Sequence, residues 1–176
     1  KKSFIGRNPF PWINRVKVVF LPFDTMNPYQ AELARSLGEE GVDVLPFSPL
    51  PSLPLLSCLW RTPQAEIVHL HWISSFLVKD SLLKSVFWAT LFLFEVLSLK
   101  LFGKKLVWTV HNLFEHERRH GRLECFYLKL LAKLWYVIVV HSRYAKDRVE
   151  DLLAVQQREK VRIIPHGNYI TSYPNT

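Results

Sequence analysis

Apolar positions along this chain follow two alternating patterns: short β-branched and aromatic runs, and longer segments whose apolar residues recur at helical spacing. The first run, 16–23, is apolar enough to be buried on both faces, as parallel strands are. After it, Asn27 stands where a helix N-cap belongs. Pro28 takes the first helical position and Gln30 lies three residues after the cap, while Ala31, Leu33, Ala34 and Leu37 carry one apolar face to about Glu40, ahead of Gly41. Further strands are predicted at 42–47, 65–72, 106–110, 137–140 and 161–164. Between them lie a Pro- and Ser-rich loop over 46–63 with at most a short helix near 55–60, an apolar helix within 79–102, and a helix over 123–135 with Leu128, Leu131, Ala132 and Trp135 on its apolar side. Ser142 caps a last helix over 143–155. Strict alternation of strands and helices predicts an α/β fold, a Rossmann-like doubly wound parallel sheet with helices on both faces. It is expected to form a single domain over 1–170, opened by an irregular basic and aromatic lead-in, with 171–176 beginning a linker.

Four of the predicted strands end in histidine. The run Val68-His69-Leu70-His71 places both imidazoles on one face, and the others end in His111-Asn112, His141-Ser142 and Pro165-His166-Gly167-Asn168. Ligands of open parallel sheets bind outside the carboxyl ends of the strands, so these residues are expected to converge on one crevice. The N-terminus of the helix after Asn27 would face the same crevice with unpaired backbone N–H groups. Imidazole and amide groups, with Glu115 and Glu117 just after His111, offer donors and acceptors suited to sugar hydroxyls and phosphate oxygens.

Other chemistries fit less well. No G-x-G-x-x-G, P-loop or G-x-S-x-G pattern occurs, and Cys58 and Cys125 lack C-x-x-C spacing, which speaks against a disulfide framework and for a reducing cytoplasm. A zinc site could draw on His69, His71, His111, His116, His120 and His141, but only the first two have chelating spacing and no second pair matches them, so no metal is expected. The formal charge of +8 and pI near 9.6 favour an anionic partner. Scattered Lys and Arg residues, with most Trp and Phe inside apolar runs, argue against nucleic acid. Within 79–102, Lys84, Glu95 and Lys100 interrupt the apolar run, so a spanning helix is not expected. A core helix and a helix lying in lipid headgroups, flanked by Lys79, Lys104 and Lys105, both remain open. No charged segment followed by an apolar core marks a signal peptide at the start of this sequence.

In their order and spacing, Val68-His69-Leu70-His71-Trp72, Trp108-Thr109-Val110-His111-Asn112 with His116-Glu117, Val139-Val140-His141-Ser142 and Ile163-Ile164-Pro165-His166-Gly167-Asn168-Tyr169 resemble the N-terminal half of GT-B glycosyltransferases that build exopolysaccharides and lipid-linked sugars. The resemblance implies an acceptor-binding domain, one half of a GT-B fold, that needs a C-terminal donor domain absent from this sequence and is inactive without it. It implies transfer of a sugar from a nucleotide-sugar to a glycan or lipid-linked acceptor. His111 would be the catalytic-site residue, close to the donor sugar, and Asn112, Glu117, His71, His141, His166 and Asn27 would contact substrate. No metal or other cofactor is implied, and the enzyme would lie in the cytoplasm, with peripheral contact at the inner face of the membrane. The alternative is a non-catalytic partner subunit of the same fold that completes an active site with a second polypeptide.

Overall fold

The structure is a computed structural model and describes residues 15–24, 27–113, 120–155 and 158–167. Six strands form one sheet: β1 (Val16–Leu21), β2 (Val42–Leu45), β3 (Ile67–Leu70), β4 (Lys105–Thr109), β5 (Val137–Val140) and β6 (Val161–Ile163). Their order is β2-β1-β3-β4-β5-β6, and every neighbouring pair is parallel. The fold is therefore the expected α/β Rossmann-like one. The winding reverses between β1 and β3, and the crevice beside that reversal is where such sheets bind ligands.

The helices are α1 (Pro28–Glu39), α2 (Cys58–Arg61), α3 (Ser74–Leu77), α4 (Leu82–Leu101), α5 (Gly121–Leu134) and α6 (Arg143–Leu153). Helices α4, α5 and α6 pack side by side, and α1 packs on β2. Because right-handed crossovers run in opposite directions on either side of the reversal, α1 and the α4–α6 layer fall on opposite faces. Leu128, Leu131, Ala132 and Trp135 all enter the core, as their spacing predicts.

Several strands are shorter than their apolar runs. The first ends at Leu21 rather than residue 23, since Pro22 has no N–H to continue the ladder. The third spans only Ile67–Leu70 within 65–72, and the second stops at Leu45, before Pro46. The segment 79–102 yields α4 only from Leu82, where Ser81 Oγ accepts the N–H of Lys84, and a separate turn, α3, precedes it. Gly41 takes a φ of +83°, so the chain turns out of α1 where expected.

Helix α4 settles one open reading and sharpens the other. Ala89, Phe92, Val96 and Leu99 recur at helical spacing and are buried, so one face belongs to the core. The opposite stripe is also apolar yet exposed: Leu83, Phe87, Phe94, Leu97 and Leu101. The helix is long and apolar enough to cross a membrane, but its inner face is committed to the sheet and to buried polar contacts of Ser85 and Glu95.

Candidate functional site

The end of α1 meets the ends of four strands. Asn27 Oδ1 accepts the N–H of Tyr29 at 3.0 Å, so the N-cap forms as its sequence position predicts. Gln30 does not reach back to complete a capping box. It is fully buried and stitches the β1–α1 loop instead: its amide donates to Pro22 O at 2.7 Å and its carbonyl accepts from Asp24 N at 2.6 Å. This stitch fixes the first turn of α1 against the end of β1 and aims Tyr29 into the crevice.

Tyr29 is the centre of the site. Its ring stands edge-on to His111 (centroids 4.8 Å apart), His166 (5.4 Å), His141 (5.6 Å) and His71 (5.8 Å). The four histidines come from the ends of β3, β4, β5 and β6, so the structure brings together the strand ends singled out in the sequence. His71 is pinned by its own backbone N–H, which donates to Leu21 O at 3.0 Å and carries the β1–β3 pairing one residue past the strand. Its Nδ1 lies 3.3 Å from His111 Nε2. Behind it, His69 stacks on His71 at 4.4 Å and shares a 2.7 Å hydrogen bond between its Nε2 and Thr109 Oγ1. Trp72 stacks on the outer face of His111 at 4.7 Å, and His166 stacks on His141 at 3.7 Å.

Burial decides the protonation of this cluster. It pushes the pKa of His69 down to about 3 and that of His71 to about 2, the neighbouring imidazoles adding to the effect. His111 falls to about 4, chiefly by burial and then through His141 and His166; His166 is lowered for the same two kinds of reason. At neutral pH, His69, His71 and His111 are therefore uncharged, each with one N–H donor and one lone pair. The crevice offers neutral hydrogen-bonding groups and aromatic faces, which suits hydroxyls of a sugar.

The remaining sequence-predicted residues divide. Asn112 follows His111 and is exposed, and Asn27 spends its side-chain oxygen on the helix cap. Glu117 lies outside the described residues, as do Glu115, His116 and Asn168. Tyr29 and Trp72 were not among the residues sequence reasoning selected. The signal available for Tyr29 was its place two residues after an N-cap that enters the crevice; for Trp72 it was adjacency to His71.

Residues 46–168 match the model of Glycosyltransferase Family 4. The chain belongs to that family. The matched segment holds all four strand-end histidines of the crevice, whereas Tyr29 lies ahead of it. Among solved structures, the family fold is similar to Anabaena Alr3699/HepE in complex with UDP-glucose, at 13% identity and a TM-score of 0.50, covering 92% of this chain and 47% of that one. The same Anabaena protein in complex with UDP and glucose gives 12% identity, a TM-score of 0.50 and the same coverage. At such identities the likeness is one of fold. This Family 4 chain spans about half the length of the solved protein it matches. No curated protein sequence matches it.

Proposed function

We propose that this chain is the acceptor-binding half of a glycosyltransferase that moves a sugar from a nucleotide-sugar to a glycan or lipid-linked acceptor, and that it acts with a C-terminal, donor-binding domain. The observation that carries the reading is the convergence of His71, His111, His141 and His166 on Tyr29, beside the reversal of the sheet. Family membership supports the reaction type, and a structural neighbour seen with UDP-glucose supports the donor class. His111 is the residue placed against the donor sugar. A neutral imidazole there donates or accepts a hydrogen bond without adding charge. The charge developing on the departing nucleoside diphosphate is met by basic groups and a helix N-terminus of the partner domain, with no requirement for metal. Asn112 and His71 contact acceptor or sugar.

The same reading places the protein at the inner face of a membrane. Its support is the exposed stripe Leu83, Phe87, Phe94, Leu97 and Leu101 along α4, together with a hollow of about 380 Å³ lined by Lys100, Lys104, Lys105, Lys133 and Lys160 at the end of that helix.

The test is sugar transfer by the complete two-domain enzyme. Removing a group that stabilises the transition state costs roughly 100-fold or more in turnover, so His111→Ala is expected to lose that much while still binding donor. Near-normal turnover by the variant would refute the role given to His111.

A further inference from the structure

We propose that His111, His141 and His166 form a binding site for one borderline divalent cation of the Zn²⁺ class at the mouth of the crevice. The site shares residues with the transferase reading and goes beyond it: cation binding does not depend on that reading, whereas its inhibitory effect rests on it. The three residues come from three successive strand ends, and one ring nitrogen from each lies within 4.8 Å of the other two. A tetrahedral ion with bonds of about 2.0–2.1 Å holds its nitrogens roughly 3.3–3.4 Å apart. The separations therefore close by at most about 1.5 Å on metal binding, a movement of side chains. His166 supplies most of it: its ring is exposed, and its 29° stack against His141 opens as both rings turn toward the ion.

His141 is the independent sign that the site is built to present lone pairs. Its Nδ1 lies 2.8 Å from the carbonyl oxygen of Ile164, which can only accept, so the proton sits on Nδ1 and the lone pair on Nε2. That carbonyl is held in place because Ile164 N–H donates to Val140 O at 2.8 Å, extending the β5–β6 ladder. Nε2 is buried and, among the described residues, has no hydrogen-bond partner. An imidazole whose second nitrogen donates to a backbone carbonyl is the arrangement that fixes ligand tautomers in metal centres. Three imidazoles, with no carboxylate in the group among the described residues, favour Zn²⁺, Co²⁺, Ni²⁺ or Cu²⁺ over Mg²⁺ or Ca²⁺. The fourth position faces the open crevice and takes water. With the ion bound, His111 is committed to it and no longer available to a sugar, so the cation acts as an inhibitor.

The test uses the whole chain and the metals themselves. Titration with ZnCl₂ by calorimetry, and with Co²⁺ by visible absorption, is expected to show one equivalent bound, with the intense bands of a tetrahedral centre. His166→Ala, at an exposed position that leaves folding intact, and His141→Ala should each weaken binding at least about tenfold. Cys125→Ser and His120→Gln, which change other candidate ligands, should leave it unaltered. Absence of a stoichiometric site, or equal affinity in the doubly substituted His141→Ala, His166→Ala chain, would overturn the proposal. Either result leaves the transfer assay of His111→Ala in the metal-free enzyme to judge the transferase reading separately.

Discussion

Glu95 tests how α4 is seated. Its side chain is buried, 1% exposed, and one carboxylate oxygen accepts the N–H groups of both Leu55 and Leu56 at 3.0 Å. Burial raises its pKa from 4.5 to about 7, against the pull of those two donors. The folded chain thus holds a proton that the unfolded chain has lost across the window from about pH 4.5 to about pH 7. Its contribution to stability is full below pH 4.5 and is lost as the pH rises through 7. At about 1.4 kcal/mol per pH unit, the loss across the window is about 3 kcal/mol. Glu95→Gln keeps an acceptor oxygen and cannot titrate. Urea midpoints of both chains, measured at about pH 5 and pH 8, should show the Gln variant gaining about 3 kcal/mol relative to wild type at the higher pH. All other titrating groups are common to both chains and cancel. Glu95→Ala instead leaves two N–H groups without an acceptor, at roughly 1–3 kcal/mol each, and destabilises at either pH. Parallel pH profiles for wild type and Glu95→Gln would refute a raised pKa for this carboxyl.

The crevice histidines predict the opposite slope. With folded pKa values of about 3, 2 and 4, His69, His71 and His111 stabilise the fold fully above about pH 6.5 and progressively less below it. In the Glu95→Gln background, stability should fall by up to about 4 kcal/mol per pH unit below pH 6, and a flat thermal midpoint between pH 7 and 5 would contradict neutral burial. Gln30→Met removes the stitch across the β1–α1 loop and should cost about 2 kcal/mol or more in urea unfolding, since Asp24 N and Pro22 O lose their partner. Ser142→Ala deletes the cap whose oxygen accepts from Ala145 N at 3.1 Å, and is expected to cost about 1 kcal/mol, recovered by Ser142→Asn.

The sheet and its carboxyl edge were legible because strand periodicity and helix caps are local signals. Val137 to Val140 followed by His141-Ser142 states a buried strand, its edge and the next helix cap within six residues. Strand ends were less legible, since an apolar run continues past the last ladder hydrogen bond, as Phe23 does after Pro22. The part of the site that escaped is the part that depends on tertiary contact. Gln30 fits a capping box by sequence, yet its burial beside Pro22 gives it a different task. Tyr29 carries no motif of its own; its importance arises only when β3, β4, β5 and β6 deliver their histidines around it. His166 is legible as a strand-end residue of the crevice, but its stacking on His141 depends on β5 and β6 being neighbours.

The distribution of charge separates the lysines of this basic chain from the neutral, buried histidines of the crevice. Lys100, Lys104, Lys105, Lys133 and Lys160 gather where β4, β5 and β6 begin, at the edge of the sheet opposite the histidines. Part of their charge is used locally: Lys100 and Lys160 donate to carbonyls in the last turn of α5, at Leu134, Ala132 and Lys133, where cations complement the helix dipole. An ammonium has three hydrogens, and these contacts leave the hollow strongly positive. Helix α4 joins the two edges. Its 20 residues span about 30 Å, from Leu82 near the crevice end to Leu101 beside the lysines, and its exposed stripe is apolar apart from Thr90. In the membrane-facing orientation proposed above, lysine ammonium groups stand at one end of this stripe and the histidine crevice at the other. In the proposed orientation, the positive charge holds the protein to anionic headgroups, while a lipid-linked acceptor reaches the neutral imidazoles from the same surface.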